Sequence, residues 1–564
     1  MPFRTLLSQP LIFSLILFLV FQLPVFNKAL SYRDEGFAIN NAHLILDGKL
    51  PYRDFMTPIA PASYYFQAGL MKVFGEVFLV GRVSYVVMTL LLLTLVYIST
   101  PYLKLSRLNQ LLVLSGTALM WVWPGGFAFY NTYALVFIMA ALLQLLRLMN
   151  QSTSPRARRL QLFMLGVTLA LVMLSKQTYG LLIVPAVVAL IVSKPTFNDR
   201  WQLAEFKKSL VDAIWVMGGV IFILVLVGVY FATQGALDEL LYYCFLFSVS
   251  VKAHAVAFLR NRMIFSVLII AATAVFMRLK NQYRAWLLLI AVAVITLYLG
   301  NNPRRIGRLF DYLGQSLFYY HSVVFLTACV SVALTGFWSR SKNYVVWAWA
   351  SLLLMTYFGS IASGYESAAI ILTAPLLLPL VVDWFQKTPW AEWHINLNCA
   401  ALVVLYTLPF LIGPVREYTL FFGVYRLPET VKSAVPSLTG LHISPREEEN
   451  FIQLRTYLMQ YSDIDETLVC LPYCPLINFI LEMPSSSFDT LFYHETFRAQ
   501  DQTRMIIHLE TEQTTYIVVQ KPGYVEPEAD LDKQRLAELF SYIDLHYVPV
   551  LETADFRLLK RVSN

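Results

Sequence analysis

Two adjacent carboxylates, Asp34 and Glu35, lie where the first apolar segment of the chain ends. They open a polar stretch, residues 28–77, that is rich in Pro and Tyr. A carboxylate at the edge of a membrane is costly to dehydrate, so it commonly marks catalysis or ion handling. A loop of this length is also expected to carry ordinary solvated acids. Residues 34–48, however, keep a helical spacing that predicts a short helix along the membrane surface, which would hold the acidic pair in place.

The composition is that of a membrane protein. The chain has 564 residues, of which 57% are apolar and 14% charged, whereas soluble domains are nearer one quarter charged. Aromatic residues reach 15%, which suits the belts that form at two membrane interfaces. The formal charge of +7 is spread along the chain, so it indicates loop bias and no surface for nucleic acid.

Apolar stretches long enough to cross a hydrocarbon core of roughly 30 Å recur through most of the chain. The first follows one basic residue, Arg4, and no small-residue cleavage site comes after it, so we expect an uncleaved signal anchor. Hydropathy predicts about 13 spans, near residues 10–27, 78–99, 109–123, 127–149, 160–175, 178–193, 213–232, 263–278, 286–300, 317–337, 344–360, 367–384 and 396–413.

The orientation follows from the basic residues, because Lys and Arg accumulate in inner loops. With the N-terminus inside, the inner loops hold Lys104, Arg107, Arg156, Arg158, Arg159, Lys194, Arg200, Lys207, Lys208, Arg278, Lys280, Arg284, Arg340, Lys342 and Lys387. An odd number of spans then places the C-terminus and residues 28–77 outside. We therefore expect a multi-pass protein of the cell inner membrane, with a cytoplasmic N-terminus and an extracytoplasmic C-terminal domain.

A change of composition after Pro414 divides the chain into two expected domains. Residues 1–414 would form the membrane domain, including the outer loop 28–77, and residues 415–564 a soluble domain. There, Ser444 is the expected N-cap of an amphipathic helix. Strands are expected at 467–471 and 516–519, and helices at 445–462, 497–511 and 530–542. The expected fold class is an all-α polytopic membrane protein with a small C-terminal α/β domain.

A second polar cluster places three arginines in a loop that the charge rule puts outside. Arg304, Arg305 and Arg308 break the positive-inside bias, so together they require a counter-charge. A phosphate group near the outer leaflet would supply it, because the guanidinium fork matches phosphate oxygens. Two plainer explanations stay open: contact with anionic lipid head groups, or a span count that is wrong by one here.

Two further polar residues fall on the same expected side. Lys176 lies at the turn between two short spans, and Glu366 lies at the start of another. Taken singly, Lys176 is most simply a snorkelling interface residue and Glu366 a hydrated loop acid. Their common side with Asp34 favours a site on the outer face.

The five cysteines show no pattern of zinc ligands. Cys470 and Cys474 flank Leu-Pro-Tyr and could pair if the local geometry allowed it. Two small, semi-buried thiols are the expected state.

Several segments resemble the C-type (GT-C) membrane glycosyltransferases, the clan of protein O-mannosyltransferases and bacterial aminoarabinose transferases. The resemblance is strongest in the first outer loop and covers most of the chain. The segments that carry it are Arg33-Asp34-Glu35-Gly36, Asp47-Gly48-Lys49-Leu50-Pro51-Tyr52-Arg53-Asp54-Phe55, Pro58, Pro61, Tyr64-Tyr65, Gly81-Arg82, Asn131-Thr132-Tyr133, Ser175-Lys176-Gln177, Arg308-Leu309-Phe310-Asp311-Tyr312 and Pro472-Tyr473-Cys474-Pro475-Leu476-Ile477-Asn478-Phe479.

The resemblance implies an enzyme, surrounded by membrane lipids, that passes a sugar from a polyprenyl-phosphate carrier to an acceptor and inverts the anomeric centre. The acceptor would be a lipid, a polysaccharide or a protein. Asp34 would be the base or the acceptor-orienting carboxylate, with Glu35 as a second catalytic candidate. The charge of the leaving phosphate would be stabilised by cations. The substrate-binding candidates are Lys176, Arg304, Arg305, Arg308, Asp311, Tyr312, Glu366, Tyr64 and Tyr65. Glu35 and Glu366 could instead bind a divalent metal, and neither the metal, the sugar nor the acceptor follows from the sequence.

Two other functions are consistent with a polytopic membrane protein. A secondary transporter or lipid/polysaccharide flippase would be expected to show repeats and broken helices near the bilayer midplane. In this chain the polar residues gather at one interface and no repeat is visible. A non-catalytic scaffold whose outer domain binds a partner would leave the interfacial acids and arginines without a role.

Overall fold

The structure is a computed structural model. It describes residues 9–28, 30, 34–122, 126, 129–150, 154–194, 203–247, 344–362, 369–386, 430–463, 466–472, 474–489, 492, 497, 499–521 and 535–562. The expected spans near 263–278, 286–300, 317–337 and 396–413 lie outside these residues.

Helices dominate the chain before residue 387 in the part that the structure describes. They are α1 (Pro10–Gln22), α2 (Asp34–Leu46), α3 (Ala62–Phe74), α4 (Leu79–Ser99), α5 (Arg107–Met120), α6 (Tyr130–Asn150), α7 (Pro155–Ser175), α8 (Gln177–Ser193), α9 (Leu203–Thr233), α10 (Leu237–Leu241), a π-helix (Tyr242–Phe247), α11 (Tyr344–Ala362) and α12 (Ala369–Gln386). Each expected span that falls on described residues contains one of these helices.

Four of the described helices are long and apolar enough to cross a membrane by length and composition. These are α4 with its 3-10 extension to Leu103, α6, α7 and α9, and α1, α8 and residues 344–360 of α11 are shorter apolar helices. The polytopic membrane fold that the sequence predicts is therefore confirmed.

Close backbone contact joins α7 to α9. A Cβ atom added to Gly166 would lie 2.0 Å from the Val216 carbonyl oxygen, and one added to Gly219 would lie 2.1 Å from the Phe163 carbonyl oxygen. Small residues at such positions let membrane helices approach until their backbones touch. This seam holds α9 against the bundle although most of its other faces are exposed.

A sharp turn between α7 and α8 carries Lys176. The backbone of Lys176 is extended, with φ −149° and ψ 106°, so the helix stops there and restarts at Gln177. A Cβ atom added to Gly180 would lie 2.3 Å from the Met173 Cβ atom, so a residue with a side chain would force the two helices apart. The turn thereby fixes Lys176 at one end of the bundle.

Residues 28–77, for which we keep the name outer loop from the predicted orientation, contain two helices, α2 and α3. The helix predicted around residues 34–48 is confirmed as α2. Every residue of α2 from Glu35 to Ala42 is buried, so this helix is enclosed by protein and presents no solvated face over that stretch. By contrast, the end of α3 exposes Val73 and Phe74.

The C-terminal unit, residues 430–562, is a mixed sheet packed between helices. Its helices and strands are β1 (Val431–Lys432), β2 (His442–Ile443), α13 (Pro445–Tyr461), β3 (Leu468–Leu471), α14 (Leu476–Leu481), α15 (Gln502–Thr511), β4 (Tyr516–Gln520), α16 (Ala537–His546), β5 (Tyr547–Glu552) and β6 (Phe556–Arg561). The four-stranded sheet has the order β3-β4-β6-β5, with β3 and β4 parallel and the other neighbours antiparallel. The predicted α/β character is confirmed, and the β5–β6 hairpin is an addition that the sequence analysis did not foresee.

Local sequence explains how α13 begins. Ser444 is the N-cap of α13, as expected: it accepts a hydrogen bond from the Glu447 backbone N–H, and the Glu447 carboxylate accepts one from the Ser444 backbone N–H, which completes a capping box.

The expectation of free thiols at Cys470 and Cys474 is wrong, because the two residues form a disulfide. The chain reverses after β3 and brings their Cα atoms to 5.7 Å, a separation that a disulfide spans.

The outer loop and the C-terminal unit share one hydrophobic core. Ile39 of α2 and Met71 of α3 lie in the same buried cluster as Phe451 and Ile477 of the C-terminal unit. Backbone hydrogen bonds connect the two parts: Met56 N–H donates to the Phe488 carbonyl at 2.7 Å, Phe78 N–H to that of Ser437 at 2.9 Å, and His442 N–H to that of Asn27 at 2.8 Å. The outer loop is thus built into the C-terminal unit.

Candidate active site

Glu35 is held in a buried ion pair with Arg82. The guanidinium donates to the two carboxylate oxygens at 2.8 and 2.9 Å, and the side chains of Arg82 and Glu35 are 0% and 1% exposed. Arg82 also donates to the backbone carbonyls of Phe26 and Lys28 at 3.1 and 2.9 Å. Because these groups stand on both sides of residues 29–34, Arg82 fixes the two ends of the segment that leads to Asp34.

Asp34 is the first residue of α2 and is half-buried. Negative charge is stabilised at a helix N-terminus by the exposed backbone N–H groups and the helix dipole. Burial raises the pKa of the neighbouring Tyr64 phenol, a hydrogen bond with Thr57 opposes that rise, and the Asp34 carboxylate adds to it. Thr57 donates to the Tyr64 hydroxyl at 3.0 Å. The Phe37 ring meets the Tyr64 ring edge-on with 6.1 Å between centroids, so Tyr64 packs against α2 one helical turn after Asp34.

The two adjacent tyrosines of the outer loop point in different directions. Tyr64 is buried beside Thr57, whereas the Tyr65 hydroxyl lies 3.4 Å from the Tyr230 hydroxyl near the end of α9. Tyr64 thus packs against α2, whereas Tyr65 contacts the bundle.

Lys176 is a buried cation at the end of the bundle, 2% exposed. Its ammonium group donates to the Asn131 side-chain oxygen at 2.5 Å. It also lies 5.0 Å from the centre of the Tyr130 ring and 4.7 Å from that of Tyr179, a distance at which aromatic rings attract a cation. The snorkelling explanation expected an ammonium group in water, and the observed burial disagrees with it.

Gln177 connects Lys176 to the outer loop. Its amide nitrogen donates to the Pro58 carbonyl at 2.6 Å and to the Cys244 carbonyl at 3.0 Å, and its amide oxygen accepts from the Ala60 N–H at 3.2 Å. Residues 57–64, which we call the bridging segment, thus contact Gln177 at Pro58 and Ala60 and, through Tyr64, contact Phe37 of α2. The helix that begins with Asp34 and the residue that follows Lys176 consequently contact the same short stretch of chain.

The other predicted site residues lie outside the residues that the structure describes. They are Arg304, Arg305, Arg308, Asp311, Tyr312 and Glu366. Within the described residues, no three His, Cys, Asp or Glu side chains are placed to hold a metal ion.

Three residues of the site had no assigned role in the sequence analysis: Arg82, Asn131 and Gln177. An arginine inside an apolar span requires a counter-charge, so Arg82 together with the acids of the first loop could have indicated the ion pair. Asn131 and Gln177 are uncharged, and their positions depend on contacts between distant segments that no local pattern signals.

Neither a protein-family model nor a curated protein matches the sequence. Solved structures do match. The oligosaccharyltransferase of Archaeoglobus fulgidus, tethered to an acceptor peptide, aligns with a TM-score of 0.53 and 12% identity over 98% of this chain and 74% of that chain. The oligosaccharyltransferase AglB from the same archaeon, in complex with an inhibitory peptide and a dolichol-phosphate, aligns with a TM-score of 0.51 and 11% identity over 100% of this chain and 75% of that chain.

A third match is ArnT from Cupriavidus metallidurans bound to undecaprenyl phosphate, with a TM-score of 0.49 and 12% identity over 98% of this chain and 97% of that chain. Its TM-score is too low to carry an argument. The alignments with the archaeal enzyme span nearly the whole chain at low identity, so what they establish is the fold. This chain therefore has the same fold as the archaeal oligosaccharyltransferase structures, which confirms the expected fold class.

Proposed function

We propose that this chain is an integral membrane glycosyltransferase that moves a sugar from a polyprenyl-phosphate carrier to a hydroxyl group of a lipid, polysaccharide or protein acceptor. The archaeal enzyme with the same fold has been captured with an acceptor peptide and with a dolichol-phosphate. A lipid phosphate and an acceptor are the two partners that this proposal requires. The fold alone does not assign an activity, so the proposal depends on the site.

The observation that supports the proposal is that the neighbours of Asp34 and of Lys176 contact the same bridging segment. Tyr64 of this segment packs against Phe37 in the helix that begins with Asp34, and Gln177, the residue after Lys176, binds the segment at Pro58 and Ala60. Glycosyl transfer from a phosphate needs both kinds of group: a carboxylate near the nucleophile and a cation near the leaving group.

The reaction assigns each group one task. Asp34 accepts the proton of the acceptor hydroxyl as its oxygen bonds to the anomeric carbon. The bond between that carbon and the phosphate oxygen breaks, and the electron pair leaves with the polyprenyl phosphate. The ammonium of Lys176 stabilises the negative charge that develops there. Attack opposite the leaving group inverts the anomeric centre.

Glu35 serves a different purpose in this proposal. Both its carboxylate oxygens accept hydrogen bonds from Arg82, and the pair is fully buried. We therefore assign Glu35 to positioning the turn that carries Asp34 and leave the proton transfer to Asp34.

We also propose that the C-terminal unit faces the outer, oxidising side of the membrane, here the periplasmic side of a cell inner membrane. The Cys470–Cys474 disulfide supports this side, since disulfides persist in oxidising compartments. The distribution of Lys and Arg among the loops favours the same orientation, with a cytoplasmic N-terminus.

The test is sugar transfer by the purified protein supplied with polyprenyl-phosphate sugars. Asp34→Asn should lower kcat by about 10²- to 10⁴-fold, because it removes the base. Lys176→Gln should lower kcat by about 10²-fold, because it removes charge stabilisation at the leaving group. The matched control is Asp47→Asn. The Asp47 carboxylate lies just after the end of α2 and its side chain is 46% exposed, so this variant should turn over like the wild type.

Two results would count against the proposal. Wild-type turnover by Asp34→Asn would remove Asp34 from the reaction. Movement of a labelled carrier lipid across vesicles, with no covalent sugar product, would favour the flippase instead.

A further inference from the structure

The C-terminal unit makes a specific contact with the turn that carries Asp34. Gly36, two residues after Asp34, packs against Leu476, the first residue of α14. A Cβ atom added to Gly36 would lie 2.7 Å from the Leu476 Cβ atom, 3.2 Å from its backbone nitrogen and 3.4 Å from its Cα atom. These atoms cannot rotate away as the end of a long side chain could, so any residue larger than glycine would push α2 and α14 apart.

Packing is the reason for glycine here. Gly36 lies in the first turn of α2 and its φ is not positive, so its backbone conformation does not require glycine. The contact with Leu476 accounts for the absence of a side chain at this position.

Leu476 is itself held rigidly. Its side chain is fully buried. Asn478 in the same helix donates to the carbonyls of Leu468 at 2.8 Å and Met483 at 3.2 Å, and the Cys470–Cys474 disulfide ties the end of β3 to the start of α14. The position of Leu476 is therefore set by the sheet of the C-terminal unit.

A second contact supports the other end of α2. The His43 ring meets the Phe479 ring edge-on, with 5.4 Å between centroids. Two residues of α14 thus touch α2 at points two turns apart, which fixes the direction of α2 as well as its distance from the sheet.

From these contacts we infer that the C-terminal unit positions Asp34 for catalysis, with Leu476 as a positioning residue that acts through Gly36. The inference depends on the proposed role of Asp34. It differs from a role in acceptor docking, which would change the KM for the acceptor, and from simple stabilisation, which would leave the turnover of folded protein unchanged.

The test compares Gly36→Ala with Gly69→Ala in the full-length protein. Both glycines are helical, and a Cβ atom at Gly69 would meet nothing within 4 Å. A misplacement near 1 Å costs about 100-fold in rate, so Gly36→Ala should lower kcat by about 10- to 100-fold. The KM values for donor and acceptor should stay within about twofold of wild type, and Gly69→Ala should behave as wild type.

A second variant tests the contact itself. Leu476→Gly removes the Cβ atom that opposes the new methyl group of Gly36→Ala. If the two side chains clash, the double variant should have a higher kcat than the value calculated by combining the two single losses as independent effects. If Gly36→Ala does not fold, Leu476→Ala takes its place, since it removes the leucine without a clash and should also lower kcat.

Hydrogen exchange separates failure of this inference from failure of the proposed function. Gly36→Ala should speed exchange in residues 34–40, whereas Gly69→Ala should not. Equal turnover and equal exchange in the two variants would overturn the positioning role and leave the transferase proposal intact. A wild-type protein that transfers no sugar would defeat the transferase proposal, and unchanged exchange in Gly36→Ala would defeat the contact independently.

Discussion

Arg82→Met should destabilise the protein far more than the loss of an ordinary surface charge. Methionine fills much of the same volume but removes the bidentate partner of Glu35, whose side chain is 1% exposed. Removing one member of a buried ion pair costs about 3–5 kcal/mol, because the other charge stays buried. The carbonyls of Phe26 and Lys28 lose a donor as well, which places the expected loss at the upper end, about 5 kcal/mol.

The assay is thermal or denaturant unfolding in one detergent, with three comparisons. Arg455→Met removes a cation from a pair whose partner, Glu482, is 52% exposed, so it should cost no more than about 1 kcal/mol. The double variant Arg82→Met with Glu35→Met should recover much of the loss, because an apolar pair often replaces a buried ion pair at little cost. An Arg82→Met protein that unfolds at the same midpoint as Arg455→Met would refute the reasoning.

Two further predictions follow from single positions. Gly219→Ala should lower the free energy of unfolding by about 1–3 kcal/mol, because the new methyl group forces α9 away from α7. Gly218→Ala should leave stability unchanged, because its Cβ atom would meet nothing within 4 Å. Equal melting midpoints for the two variants would contradict the close packing of α7 and α9. Burial raises the pKa of Asp489 to about 6 despite the Arg504 guanidinium beside it. Between about pH 4 and pH 6 the folded chain therefore holds a proton that the unfolded chain has released, and stability falls as the pH rises through that window. Asp489→Asn should lack this component, so the shift in midpoint between pH 4.5 and pH 6.5 should differ from that of wild type; identical shifts would contradict it.

Local patterns in the sequence predict much of this fold. Spacing, hydropathy and cap chemistry act over a few residues, so they predict the helix at 34–46, the described spans and the N-cap at Ser444. The strands at Leu468–Leu471 and Tyr516–Gln520 are apolar runs of the right length.

What the sequence could not predict depends on contacts between distant segments. The burial of α2 depends on the C-terminal unit, which arrives several hundred residues later in the chain. A separation of 119 residues likewise hides the hydrogen bond between Gln177 and Pro58. The Cys470–Cys474 disulfide is the exception: its residues are 4 apart, and hydropathy does not encode the backbone geometry that pairs them. The acidic character of Asp34 and Glu35 is equally visible in the sequence, but only the position of Arg82 distinguishes their tasks.

The contact between Gly36 and Leu476 also sets an order of events during synthesis. Asp34, Arg82 and Lys176 emerge early from the ribosome, while the residue that seats the Asp34 turn is made near the end. An incomplete chain would therefore carry the Asp34 carboxylate and the Lys176 ammonium group without the contact that aligns the carboxylate. On the proposed function and orientation, the protein would reach full turnover only after the C-terminal unit has crossed the membrane and folded, so a truncated or stalled chain would consume little lipid-linked sugar.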